Sequence, residues 1–408
     1  MELFKVVDVD EVKKIIDDNF KMEPEPEKIP LLEALGRVLY RDIIAEENVP
    51  GFRRSAVDGY ALKSKDAAGA SESIPGIFEI KGEVKMGEEC RTNLDSPGDC
   101  VYVPTGGMIP DEADCVVMIE YTEKLDENTV LVNKPPYPGE NVVEEKDDTA
   151  EGEVVIKKGT TIRPYEAGVL ASLGIIEVEV CKKIRCGIIS TGDEIVEPST
   201  TPLKGQVRDV NTYLLSTLIE ESGGKPAIYG IHRDSFNSMK KVIARAWEEC
   251  DMVLISGGSS VGKKDQTLEV IKSLENSKIL VHGIAIKPGK PTLIGKAGEK
   301  IIFGLPGHPL ACAVVFKTIV KHCIDRVYGK REEVYPMPCT FTINYHKAKG
   351  REEFLPVNLK FVNGNLTAAP ILSKSGIISA FSKAWGYIRL SKNLEGIKEG
   401  ERVMVYKL

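Results

Sequence analysis

With 408 residues, 42% of them apolar and 28% charged, the chain has material for roughly two to four packed domains. A formal net charge of −7 argues against a general nucleic-acid binder but leaves room for a small anionic substrate in a local basic pocket. No run approaches the ~18 apolar residues of a membrane span, and the acid-bearing N-terminus does not read as a signal peptide.

The nine cysteines are scattered and mostly sit in apolar runs, which fits reduced, packed thiols and a cytoplasmic protein. Cys181 and Cys186 form a C-x4-C pair, but no neighbouring Cys or His pair completes a zinc site.

In chain order, Val9, Val12, Ile15, Ile16 and Phe20 make a helical stripe behind an acidic start. "EPEPEK" breaks it, and "PLLEALGRVLYRDII" is expected to resume as a helix running into an extended segment. Residues 46–140 change to short β-rich runs such as "DGYALK", "IFEIKGEVK", "CVYVP", "CVVMIEYTEKL" and "TVLVNK" between Gly, Pro and Asp turns, predicting an inserted, mainly β domain. Residues 152–180 predict a strand, a helix ending near Gly174 and another strand.

From 181 to 329 strands alternate with helices. "IRCGIIS", "KPAIYGI", "DMVLIS", "ILVHGIAI" and "KIIFGLP" are the strand candidates, and "NTYLLSTLIEESG", "SMKKVIARAWEEC" and "HPLACAVVFKTIVKHCIDRVYG" the helices. The pattern is that of a doubly wound α/β domain with a largely parallel sheet. Residues 330–408 return to short strands with an Asn363-Gly364 hairpin signal, as in a small barrel or sandwich.

In open α/β sheets ligands bind beyond the carboxyl ends of strands. Each predicted strand here is followed by an unusual loop. They are "STGDEI" with Asp193 and Glu194, "HRD" with Asp234, "GGSSVGKKD" with Asp265, "KPGKP" with Lys287 and Lys290, and "GLPGHP" opening a helix at Pro309. Gly-rich turns and a helix N-terminus offer N–H groups to an anion, and two lysines add charge. Carboxylates beside such groups suggest bridging Mg²⁺, although Asp193 and Asp234 taken singly could equally cap helices or turns.

"LISGGSSVGKKDQT" (254–267) comes close to a phosphate-binding P-loop, with Gly257, Gly262 and Lys263 in place. The residue after the lysine should be a hydroxyl that holds Mg²⁺, and here it is Lys264. Asp251 precedes its strand rather than ending a neighbouring one. An anion-binding loop fits better than an ATPase. Elsewhere, Asp58-Gly59 and Thr105-Gly106-Gly107 read as turns by spacing alone, and Arg53-Arg54 as a solvated surface pair.

Taken together, "SAVDGYAL", "PTGGMIPDEADCVV", "GENVVEEKDDTAEGEVVIKKGT", "LASLGI", "ISTGDEI", "GQVRDVN", "ISGGSSVGKKDQT", "IKPGKP" and "GLPGHP" resemble, in order and over nearly the whole chain, the molybdopterin molybdenumtransferase family (MoeA and the C-terminal half of gephyrin). The resemblance implies four parts: a discontinuous N-terminal domain (1–45 and 141–180), an inserted β domain (46–140), a molybdopterin-binding α/β domain (181–329) and a C-terminal β domain (330–408). It implies a homodimer whose cleft the partner completes. The implied reaction inserts molybdate, or tungstate, into adenylated molybdopterin with release of AMP and a requirement for Mg²⁺.

Carried over by motif, the family's functional positions are Asp58, Thr105, Asp148, Glu194, Asp234, Asp265, Lys287, Pro306 and Pro309. Under this resemblance Asp234 and Asp265 hold Mg²⁺ with Glu194 nearby. Gly257, Gly258, Ser259, Ser260 and Gly262 of the "GGSSVG" turn, and the helix that follows "GLPGHP" with Pro306, Gly307 and Pro309 at its start, form the phosphate or oxyanion site, the N–H donors being those of the turn and of the helix. Lys287, Lys290 and His282 supply positive charge, and Asp58 and Asp148 are closing or acid/base groups from other domains.

Departures from the family pattern are Val143 for Arg, His308 for Asn, Ala311 for Ser and His282 for Lys. They touch the anion-binding rim, keep its acids, and leave molybdate and tungstate both open. The rival readings are a molybdopterin adenylyltransferase-type enzyme, a related nucleotide hydrolase of the competence-damage type, and a non-catalytic gephyrin-like scaffold. The N-terminal segments count against the first two, and the retained acids against the last.

Overall fold

The computed structural model describes residues 6–257, 266–330, 335–372 and 377–408. At its centre is a six-stranded sheet in the order Lys225–His232, Arg185–Thr191, Met252–Ser256, Lys300–Leu305, Leu293–Ala297, Ser277–His282. The first four strands are parallel. Leu293–Ala297 runs antiparallel to both of its neighbours, so Ser277–His282 again points the same way as the rest.

The reversed strand corrects the sequence reading, which took the sheet as five strands and passed over "LIGKA". Only a turn at residues 298–299 separates it from the next strand, so no helix marked it. "ILVHGIAI" also divides: its first half joins the sheet, and Ile286–Lys287 leaves to pair in parallel with Glu352–Val362.

Side-chain alternation along the strands fills two layers. Cys186, Ile188, Met252, Leu254, Ile301 and Phe303 face helices Asn211–Glu221 and the long helical run from Pro309 to Val327. Ile189, Val253, Ile255 and Ile302 face the opposite layer, helices Phe236–Glu249 and Gln266–Lys272. All nine cysteines are free and eight are buried. Burial pushes the Cys186 and Cys312 thiols up, and the Cys100 thiol to about 12, which makes these three packing groups rather than nucleophiles.

The N-terminal helix Val9–Asn19 lays Val9, Val12 and Ile16 into the first of these layers. The helix expected from "PLLEALGRVLYRDII" is absent. Pro26–Pro30 is a strand paired antiparallel with Glu177–Cys181, and only a 3-10 turn, Leu31–Glu33, follows. Leu32 and Leu35 are 98% and 68% exposed while Ala34, Val38, Leu39 and Ile43 are buried from a backbone that is not α-helical, so the apolar spacing there marks no helical face.

Residues of the inserted segment form a second six-stranded sheet, in the order Cys115–Met118, Gly59–Leu62, Asp99–Val103, Gly76–Glu83, Thr129–Val132, Thr122–Lys124. Near the C-terminus, Glu352–Val362 pairs with both Asn365–Pro370 and Gly386–Leu390, and Met337–Phe341 and Arg402–Lys407 close the ring as a barrel. The Asn363-Gly364 signal is a two-residue turn with both φ positive, 49° and 79°.

Ile16 is fully buried at the helix–domain junction. Ile16→Ala should cost about 2–5 kcal/mol of stability, read as a lowered urea midpoint; an unchanged midpoint would mean that this helix is not part of the cooperative core.

Candidate active site

The strand register fixes where the site lies. Thr191 pairs with His232, Ser190 with Ser256, Ser256 with Leu305, Leu293 with Gly304 and His282 with Leu293. The carboxyl ends of the five like-directed strands and the start of the reversed strand Leu293–Ala297 therefore form one rim, and the loops bearing Glu194, Asp234, Pro306 and Gly307 leave from it.

Asp234 is exposed, and its Oδ1 accepts a hydrogen bond from the Thr191 hydroxyl across two adjacent strand ends. A carboxylate oriented by a neighbouring strand is a better ligand than one free to rotate. Glu194 lies exposed in the loop leaving Thr191, where a Cβ on Gly192 would come 3.0 Å from Glu194 Oε2.

Gly257 ends its strand at φ +103°, and a Cβ there would sit 2.1 Å from the Thr191 carbonyl oxygen. Only glycine permits that approach. Gly258, Ser259, Ser260, Gly262 and Asp265, predicted as binding and metal-ligating positions, lie outside the described residues. Among the described residues no group of three or more His, Cys, Asp or Glu side chains is arranged to hold a metal ion.

The loop of Pro306 and Gly307 is pinned by a residue that sequence reasoning left out of the site. Asn211, 5% exposed, donates through Nδ2 to Ser256 Oγ at 2.6 Å and to the Gly307 carbonyl at 2.8 Å. Asn211 itself is fixed because Asp209 caps its helix, accepting from Thr212 N at 3.1 Å and Thr212 Oγ1 at 2.6 Å. Asn211 Oδ1 and Ser190 Oγ are buried without a partner among the described residues, an uncommon state for buried polar atoms. The signal for Asn211 was present: it is the last residue of "GQVRDVN" and opens the helix Asn211–Glu221.

Pro309 is the first helical residue, with His308 before it. Lys287 is exposed at the end of strand Ile286–Lys287, and Lys290 is exposed in the loop that follows. Between them Gly289 stands at φ +123°, and a Cβ there would lie 2.6 Å from Val315 Cγ2, so the lysine loop rests directly on the helix that Pro309 opens. His282 is half-buried at the end of its strand.

The remaining predicted residues sit apart in the chain's fold. Asp58 Oδ1 accepts from the Thr105 backbone N–H at 2.8 Å, so these two come together on the inserted sheet, both exposed. The bond is also what a turn-stabilising aspartate makes. Asp148 is exposed, its N–H bonded to the Val49 carbonyl at 3.0 Å. Arg53 is a structural group, bonded to Glu144 and to the carbonyls of Asp111 and Ala113.

Comparison with known proteins decides the family. Three family models match in sequence: the MoeA N-terminal region (domains I and II) over residues 7–174, a probable molybdopterin binding domain over 187–326, and the MoeA C-terminal region (domain IV) over 339–408. A putative molybdopterin biosynthesis protein of Methanocaldococcus jannaschii is 35% identical over 98% of this chain and 95% of its own. The chain belongs to the MoeA family. The Haemophilus influenzae molybdopterin molybdenumtransferase is 30% identical over 97% of both chains. A solved MoeA protein from Pyrococcus horikoshii superposes with a TM-score of 0.86 at 33% identity, covering 99% of this chain and 100% of its own. The multidomain architecture, with an α/β domain, an inserted β domain and a terminal β-barrel, is thus that of the family.

Gly257→Ala should destabilise this MoeA-family chain by about 2 kcal/mol or more, because both φ and the Thr191 carbonyl forbid the methyl group. Gly168→Ala, in helix Pro164–Ser172 with open space around it, should leave stability unchanged or raise it by about 0.5–1 kcal/mol. Thermal melting of both variants checks the pair.

Proposed function

We propose that this protein carries out the molybdenum-inserting step of molybdenum cofactor biosynthesis, taking adenylated molybdopterin and molybdate, or tungstate, and releasing AMP. The observation that carries the proposal is the rim itself. An oriented acid, a glycine-permitted strand end, a helix start and two lysines lie at one edge of the domain matched by the molybdopterin-binding model. The homologues named molybdopterin molybdenumtransferase support the reaction class.

The division of labour follows from charge. Lys287 and Lys290 draw the oxyanion to the rim and stabilise charge on the departing phosphate. Backbone N–H groups around Gly257 and at the start of the Pro309 helix receive phosphate oxygens. Asp234, aligned by Thr191, and Glu194 offer the hard oxygen donors that Mg²⁺ prefers, with Asp265 as the third member of the set. When bound there, Mg²⁺ would neutralise charge on the phosphoanhydride. Asn211 holds the Gly307 loop against Ser256, keeping the phosphate-binding edge rigid. Asp58, Thr105 and Asp148 would close the site from a partner subunit in a homodimer. The setting is cytoplasmic, with neither nucleic acid nor membrane as a partner; among the described residues no helix is long and apolar enough to cross a membrane.

The test is a paired assay with molybdate and tungstate on adenylated molybdopterin, reading AMP and metal-loaded cofactor, with and without EDTA. Asp234→Asn and Asp265→Asn should each lower AMP release about 100-fold, and Lys287→Met should raise the KM for oxyanion about tenfold. Adenylation of molybdopterin by ATP without oxyanion would replace this reading with an adenylyltransferase. Peptide binding without oxyanion-dependent AMP release would replace it with a scaffold.

A further inference from the structure

The rim lysine is set by another domain. Strand pairing places Lys287 opposite Glu353 of the C-terminal barrel, with Nζ 2.7 Å from Glu353 Oε1. The same oxygen accepts from the Tyr345 hydroxyl at 2.8 Å. Exposure is lopsided: the lysine side chain is 51% exposed and the glutamate 7%. The carboxylate is therefore a fixed, enclosed group, and the ammonium is the part that faces solvent, with two N–H directions left for a ligand.

This arrangement is expensive to keep. A buried carboxylate needs its partners, and Glu353 Oε2 is buried without one among the described residues. Burial first, and then the bond to Glu353, push the Tyr345 phenol well above its ordinary value, so it stays a proton donor to the carboxylate. A leucine-like barrel wall would cost less. What the carboxylate adds is a fixed negative charge directly behind a cation at the anion-binding edge.

We propose that Glu353 is a positioning residue for oxyanion capture. It fixes the Lys287 ammonium through Oε1, with Tyr345 as a latch, and its charge lowers the rim's affinity for dianions so that they are exchanged rather than retained. The proposal rests on the reading of Lys287 as an oxyanion-binding group. An approaching dianion meets a lysine–glutamate pair of net charge near zero instead of a bare cation, which weakens its long-range attraction but keeps the aimed N–H groups.

Glu353→Gln keeps the volume and an acceptor oxygen and removes the charge. Equilibrium binding of sulfate and of molybdate at fixed low ionic strength should tighten about tenfold, while kcat for AMP release falls. The gain should vanish in the Lys287→Met background. Affinities within about twofold of the unaltered protein, or an equal gain without Lys287, overturn the proposal. Tyr345→Phe leaves both charges in place and serves as the second variant, including where Glu353→Gln does not fold. It should keep sulfate affinity within about twofold and lower kcat about three- to tenfold, and an unchanged kcat removes the positioning role. Sulfate separates this inference from the reading it rests on. Tightened sulfate binding with no oxyanion-dependent AMP release overturns the assigned reaction alone, whereas normal AMP release with unchanged sulfate binding overturns the role of Glu353 alone.

Discussion

Because five strands of the central sheet run in one direction and the sixth reverses only to link two of them, the loops at their carboxyl ends emerge on one edge. Parallel pairing leaves no choice about this: side chains far apart in sequence, from Thr191 to Gly307, are delivered to the same rim by register alone. Chemistry then depends on how closely the loops can approach that edge. Gly257 lets the third strand end against the Thr191 carbonyl, and Asn211 ties the Gly307 carbonyl to Ser256. Thr191, in turn, aims Asp234. Each contact joins two different strand ends, so the rim behaves as one preorganised surface instead of separate loops.

The sequence was most readable where one periodicity dominated. Val9 to Phe20, the alternation of strand and helix from 185 to 327, and Asn363-Gly364 each carry a local signal strong enough to survive packing. Two readings failed for a common reason. "PLLEALGRVLYRDII" has helical spacing, but Leu32 and Leu35 stay exposed, and the preceding residues pair with a strand about 150 positions later in the chain. "LIGKA" lacks a flanking helix, so nothing local distinguishes it from a loop; its strand character comes from two neighbours.

Site residues divide along the same line. Asp234 and Lys287 stand in short motifs after recognisable strands and were visible as candidates. Asn211 and Thr191 act through hydrogen bonds between separate elements, and no single motif announces a partner. Glu353 was harder still. Its role exists only because Ile286–Lys287 abandons the central sheet and joins the barrel, an event that the apolar run "ILVHGIAI" conceals.

That departure links three parts of the chain. Val7 bridges Ile284 in parallel fashion, the Ala285 N–H bonds to the Val7 carbonyl at 2.8 Å, and the Glu352 N–H bonds to the Ala285 carbonyl at 2.8 Å. Arg389 of the barrel bonds Glu352 and reaches Asp10 of the N-terminal helix at 3.2 Å. Residues 284–287 are thus held simultaneously by the N-terminal segment, the α/β domain and the barrel. A rotation of the barrel would have to break backbone pairing, which is costlier than losing a surface ion pair. The two rim lysines consequently have different anchors: Lys290 belongs to the α/β loop that leans on the Pro309 helix, and Lys287 to the barrel through Glu353. Because Lys287 is backbone-paired with the barrel directly opposite Glu353, the separation of this charge pair is fixed by the strand ladder, and under the proposed function the C-terminal domain sets the field at the rim without contributing a cation of its own to it.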